Sequence, residues 1–257
     1  MSRPANVAAI RAHLLGSNTL VGGVDRFVKT TPPGPGSGRV RLDDGDPVLA
    51  GYSIPAGRGV RLMHVGTYEA SGIGTSCYHA DLAILENLLS HMVLLSGEWV
   101  VCDMVAGTDA FSNSLHAQFD LIVMVVEPTP ESAAVAVRYR DLAVAAGVGD
   151  GVVFVANKVA DAADRQWLRQ ALGTPALTEL GALDGLRRAR QQGRTPVPND
   201  LPDLAPLDPI VDAARNSPLD GDRRAGLLRE LHLRLAEEDW VRAAHGDVTG
   251  QFSPAGA

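Results

Sequence analysis

The sequence predicts an α/β protein with a three-layer, mostly parallel sheet and helices on both faces. Three observations carry that reading. Apolar runs of strand length recur at Trp99–Cys102, Leu121–Val126 and Val152–Val155. Helical segments lie between and around them, the alternation that builds parallel βαβ units. Polar residues gather only where the runs end, at Asp103, at Glu127-Pro128-Thr129 and at Asn157-Lys158. In open α/β sheets ligands bind at the carboxyl ends of the strands, so Asp103 and Asn157 are the first candidates for working residues.

Taken in order, the chain begins with a helix over residues 4–15, where Ala8, Ala9, Ala12 and Leu15 make an apolar face and Gly16 is the stop. Residues 22–59 are loop-rich. Pro32-Pro33-Gly34-Pro35-Gly36-Ser37-Gly38 excludes regular structure, since proline removes donors and glycine frees the backbone, and predicts an exposed, mobile loop. Arg39–Leu42 reads as a short edge strand, Asp43–Pro47 as a turn and Val60–Val65 as a strand. A helix follows over His79–Leu94, where Leu82, Leu85, Leu88, Leu89 and Met92 recur at helical spacing.

Between the first two apolar runs, Phe111–Ala117 predicts a short helix. Glu131–Ala146 is a longer one, opening after Thr129-Pro130 with an acidic first turn. Asp164–Leu172 and Leu183–Gln192 are helices flanking a strand at Ala176–Leu180, and Leu201–Pro209 is a loop. Helices over Pro209–Arg215 and Asp222–Ala244 complete the pattern, and residues 246–257 read as a disordered tail. No repeat is present, and residues 1–257 are expected to form one domain.

The chain is 46% hydrophobic and 21% charged, with a net charge of −7. Those values describe a soluble globular protein and argue against non-specific nucleic-acid binding, which requires a basic face. Arg187, Arg188 and Arg190 form a small basic group that reads as a solvated helix face. Two cysteines, Cys77 and Cys102, build no disulfide framework, which points to a reducing cytoplasm. No signal-peptide core and no membrane-spanning run is visible.

Asp103 is placed to meet Mg²⁺, directly or through a bound water, beside phosphates, and its alternative is to cap the next turn. Gly107 lets the backbone pass close to a ligand. The Asn157 amide offers an acceptor and two donors in one plane, suited to the edge of adenine; its alternative is a bond to loop backbone. Cys77 and His79, two apart at a helix start, are candidate ligands for a soft metal; their alternative is a packed thiol and a capping histidine. Gly23–Thr30 mimics a P-loop in its first glycine and its Lys29-Thr30 pair, but Val28 replaces the glycine before the lysine and Pro32-Pro33 blocks the helix that must follow.

The strand ends Asp103-Met104-Val105-Ala106-Gly107, Val125-Val126-Glu127-Pro128-Thr129 and Val155-Ala156-Asn157-Lys158-Val159, in that order, resemble the MinD/ParA-type (SIMIBI) P-loop ATPases, nearest their CooC-like subgroup. Residues 29–34 and 70–79 are similar to actinobacterial ATP-binding proteins of that group.

The resemblance implies ATP and Mg²⁺ as cofactors, hydrolysis coupled to dimerisation, and a client protein. It implies Asp103 as the catalytic residue at the Mg²⁺ shell, Gly107 at the γ-phosphate, Asn157 at the adenine base, and Lys158 among the cofactor-binding residues. Of the Cys-x-Cys of metal-handling relatives only Cys77 is present, with Thr75 at the other position. The family's Walker A loop lies on a first βαβ segment that is expected to be missing here. Catalysis is therefore expected to be impaired, because positioning and charge stabilisation do nearly all of the work in phosphoryl transfer. A non-catalytic regulatory or dimerisation module on the same scaffold, or an accessory protein for metal-centre maturation, are the alternatives.

Overall fold

A computed structural model describes residues 1–66, 78–104, 107–201 and 204–252, with the backbone alone at residues 78–81 and 198. The protein is α/β with parallel strand pairs and helices, but among the described residues the strands form three separate ladders rather than one continuous sheet. β1 (Val40–Arg41) pairs parallel with β4 (Met92–Val93), β2 (Ser53–Gly57) pairs antiparallel with β3 (Val60–Met63), and β5 (Ile122–Val126), β6 (Val152–Asn157) and β7 (Thr178–Leu180) form a parallel sheet in that order. The chain divides into two compact units. The first holds residues 1–104, 110–118 and 224–257, and the second holds residues 105–109 and 119–223.

In the first unit, α1 (Pro4–Leu15) starts with Pro4 at its first turn and stops at Gly16, whose φ is +53°. The Pro/Gly segment that follows is built into the structure, contrary to the exposed loop expected. Gly38 N–H donates to the Leu14 carbonyl (3.0 Å) and Ser17 N–H to the Gly36 carbonyl (2.8 Å). Asn18 and Gly34 both donate to the Ser37 hydroxyl, at 2.9 and 3.0 Å. The backbones touch so closely that only glycine fits: a Cβ on Gly38 meets the His13 carbonyl oxygen at 1.9 Å, and one on Gly16 meets the Gly36 oxygen at 2.4 Å. The glycines serve close approach and satisfy the carbonyls at the end of α1.

The expected turn at residues 43–47 ends in a short helix, α2 (Pro47–Tyr52). Asp46 caps it, accepting from Val48 N–H and Leu49 N–H while its second oxygen accepts from Arg41 N–H. The core gathers Ile10 and Leu14 of α1, Phe27, Val40, Leu49 and, from α3 (Tyr78–His91), Ile84 and Leu88.

Two helices replace the single one expected over residues 222–244. α8 (Gly221–Glu237) and α9 (Asp239–His245) are separated at Glu238, whose backbone is extended. Past α9 the chain remains packed, with Val248 and Gln251 buried.

The run Trp99–Cys102, expected as a strand, carries no strand, and Val101 is 90% exposed. An apolar run becomes a strand only where a neighbour completes its hydrogen bonds, and none of the described strands pairs with it. The short helix expected at residues 111–117 is two 3₁₀ turns instead.

In the second unit, β5, α4 (Pro130–Ala145), β6, α5 (Ala162–Leu172) and β7 make two consecutive βαβ units. Thr129 caps α4 with Pro130 in the first turn. Asp161 caps α5, which stops at Gly173 in the left-handed region (φ +70°). Val126, Phe154 and Ala156 pack against Ala133, Ala136, Leu168 and Leu172 of the two helices. α6 (Asp184–Gln191) and α7 (Asp208–Arg215) follow.

Candidate functional site

Register places the polar strand ends of the second unit side by side. Val126 pairs with Ala156 and Asn157 with Leu180, so Glu127 and Asn157 leave the sheet at one level. Glu127 is fixed by α4, because its N–H donates to the Ser132 hydroxyl (3.0 Å) and its carbonyl accepts from Thr129 N–H (2.7 Å). Lys158 follows Asn157 in the left-handed region, with φ +59°, and its ammonium meets the Glu127 carboxylate at 2.6 Å. A non-glycine residue held there is strained. Its other supports are the ion pair and the ladder bond that resumes from Val159 N–H to the Leu180 carbonyl (3.1 Å).

The half-buried Asn157 side chain makes no hydrogen bond to any other described residue. The bond to loop backbone that competed with a ligand-binding role is thus not formed among the described residues. Asp161 is engaged at the start of α5, accepting from Ala163 N–H (2.8 Å) and Asp164 N–H (3.0 Å). Gly107, also in this unit, has φ +109° with open space where a Cβ would stand.

Asp103 belongs to the first unit. Its carboxylate is exposed rather than set at the end of a buried strand, and it makes no described hydrogen bond or ion pair. Neighbouring Cys102 is half-buried, and burial pushes its thiol up to about 11, which keeps it protonated and unreactive. Cys77 and the side chain of His79 lie outside the described residues. Among the described residues no group of three or more His, Cys, Asp or Glu is placed to hold a metal.

The segment that mimics a P-loop cradles nothing. Residues 24–26 form a 3₁₀ turn and no helix follows Thr30. The Thr30 hydroxyl lies 3.0 Å from His232 Nδ1, and the Thr31 hydroxyl donates to Gln251 Oε1 (2.9 Å). Both threonines are buried. His232 Nε2 lies 2.9 Å from the Val248 carbonyl and Nδ1 lies 3.1 Å from the Thr30 carbonyl as well as beside its hydroxyl, so both ring nitrogens are engaged. Lys29 donates to the Ser112 carbonyl (2.9 Å), and the Asn87 amide donates to the carbonyls of Val28 (2.8 Å) and Lys29 (3.1 Å).

Glu86 was not singled out from sequence. It is fully buried on α3 and accepts from the N–H (2.7 Å) and the hydroxyl of Ser114, while its other oxygen has no partner among the described residues. Burial raises its pKa, opposed by the Ser114 bonds and the Lys29 charge. The signal was available: Glu86 stands four residues after Leu82, on the apolar stripe of its helix. One turn on, burial lowers His91 to about 4, with Arg39 and His13 adding to the effect.

The two groups set opposite slopes. His91 contributes stability above its unfolded value of 6.5 that is lost as pH falls toward 4. Glu86 contributes stability below 4.5 that is lost as pH rises through its higher folded value. Glu86→Gln is accordingly expected to gain in melting temperature relative to the parent as pH rises above 4.5. A gap constant over that range would mean that Glu86 titrates normally.

A parallel sheet with its polar residues at the carboxyl ends is an α/β ligand-binding arrangement. No protein-family model matches the chain, and no solved structure matches it. Curated proteins do. Over 109 residues the chain is 37% identical to an uncharacterised ATP-binding protein of Methanocaldococcus jannaschii, covering 42% of this chain and 40% of that protein. Over 106 residues it is 32% identical to the carbon monoxide dehydrogenase accessory protein CooC of Rhodospirillum rubrum, covering 41% and 39%. A second uncharacterised ATP-binding protein of M. jannaschii is 28% identical over 102 residues. The chain thus spans about two fifths of the length of the curated relatives it matches.

Proposed function

We propose that this chain is an ATP-binding protein of the MinD/ParA/CooC type, carrying the base-recognising part of the site in its second unit. The observation that carries the reading is the Asn157 amide, unpartnered among the described residues at the carboxyl end of β6 beside the Lys158–Glu127 pair. The ATP-binding relatives support the ligand class. In this reading Asn157 takes the adenine edge and Lys158 is a further cofactor-binding residue. Gly107, in the same unit, lets backbone approach the γ-phosphate, and the family resemblance gives Asp103 a water of Mg²⁺. The protein forms a homodimer in the cytoplasm and serves a client protein. Cys77 and His79 extend the proposal to metal handling, for which metal bound stoichiometrically and lost in Cys77→Ser is the check.

Hydrolysis needs a phosphate cradle that Gly23–Thr30 does not supply.

Calorimetry of the 257-residue chain with Mg·ATP is expected to show weak binding without turnover. Asn157→Ala should weaken it about five- to tenfold, the loss of one or two hydrogen bonds. Equal affinity in the two proteins removes Asn157 from the base site. No heat at millimolar nucleotide favours the non-catalytic module, a reading supported by the committed hydroxyls of Thr30 and Thr31.

A further inference from the structure

The β2–β3 hairpin of the first unit turns its apolar face outward. Ile54 stands directly opposite Leu62, and Val60 shares the face of Leu62 two residues along. These side chains are 67%, 60% and 57% exposed. The other face holds Met63, which packs on the core, and Arg61, which donates to the Ser53 hydroxyl (3.0 Å) and pairs with Asp44. An antiparallel pair in a monomer normally presents polar residues to water, and an isolated hairpin is at best marginal alone. Large apolar side chains set side by side on an outward face mark an interaction surface.

Charge decides what fits there. The chain carries −7 overall, yet residues 40–63 are neutral, with Arg41, Arg58 and Arg61 against Asp43, Asp44 and Asp46. A second copy meets net repulsion over most of the surface and none here. The charges are also polarised along the hairpin. Exposed Arg58 sits in the turn at φ +51° with no ion pair among the described residues, and exposed Asp43 and Asp44 precede α2 at the base.

We propose that this face docks a second copy of the chain, hairpin against hairpin about a two-fold axis. The arrangement covers Ile54, Val60 and Leu62 with their own counterparts and brings each Arg58 to Asp43 of the other copy. A two-fold contact of this kind is self-complementary. One hairpin face is small beside the roughly 800 Å² per partner of a standard interface, so the dimer is weak and concentration-dependent. The contact needs no nucleotide and is separate from the dimerisation coupled to hydrolysis in the proposed function.

The test is sedimentation velocity of the nucleotide-free chain from micromolar to millimolar concentration, with a thermal melt of every variant. A monomer–dimer equilibrium is expected. Leu62→Glu should raise its dissociation constant at least about tenfold, as expected for burying an unpaired carboxylate. Ile54→Thr, which keeps a β-branched residue, should act in the same direction and serves if the glutamate variant fails to fold. Arg58→Glu should weaken the dimer, and Arg58→Glu with Asp43→Arg should restore it. A monomer at every concentration, a dimer indifferent to the apolar variants, or an Arg58 defect without rescue by Asp43→Arg each overturns the proposal. Calorimetry with Mg·ATP on the same samples separates the two readings, since a dimer without ATP affinity sinks only the nucleotide site and a monomer that binds ATP sinks only the hairpin contact.

Discussion

Gly38→Ala is expected to destabilise the first unit by about 3 kcal/mol, the upper range for forcing atoms into a filled space. The new Cβ would stand 1.9 Å from the His13 carbonyl oxygen and 2.8 Å from its carbon. Both are helix backbone and cannot rotate away as a side chain tip can. Relief requires the loop to leave α1, which breaks the bond from Gly38 N–H to the Leu14 carbonyl and leaves a helix-end carbonyl unpaired. Gly51→Ala is the control. It lies in α2 with nothing within 4 Å of its Cβ position, so its stability should hold or rise slightly. Urea unfolding of the two variants distinguishes close approach from a general effect of alanine. Equal midpoints would mean that the Pro/Gly segment is detached from α1 in solution.

Phe27→Ala is expected to cost more, about 3–5 kcal/mol, the range for emptying an aromatic site in a core. The Phe27 ring is fully buried among Ile10, Leu14, Leu49 and Leu88. Its centroid lies 6.1 Å from that of His91, and the Arg11 guanidinium stands over it at 5.9 Å. Truncation would remove the apolar contact of the loop of residues 24–31 with α1 and α3. Phe27→Leu, which keeps most of the volume, should cost about 1.5 kcal/mol or less. Chemical denaturation supplies both values. A cost below about 1 kcal/mol for alanine would place the ring at a site able to collapse.

The contrast between those two positions shows what the sequence made legible. β5, α4 and β6 could be placed within a residue or two. Their apolar runs are bounded by local signals, the Thr129-Pro130 cap before α4 and Asn157-Lys158 after β6. The run Trp99–Cys102 looked equally strand-like and is not a strand, because pairing depends on a neighbour remote in sequence. Composition showed that residues 32–38 are irregular but not that they are packed, since glycine permits a tight contact as readily as motion. Within the candidate site, Asn157 and Lys158 could be named from their place after an apolar run. Glu127 was read as a strand end but not as the partner of Lys158, which only the register of β5 on β6 reveals.

The bonds from Thr30 to His232 and from Thr31 to Gln251 join positions 202 and 220 residues apart. That separation imposes an order on biosynthesis. The sheet β5–β6–β7 is assembled from one continuous stretch of chain and has everything it needs once residue 223 has left the ribosome. The first unit begins earlier and finishes later, because Lys29–Thr31 must wait for α8 and the turn after α9 to be translated. At about 5–20 residues per second, that wait lasts roughly ten seconds or more. For that interval Val28 and the two threonine hydroxyls lack their native cover, which makes the nascent first unit the part of the molecule with most need of a chaperone.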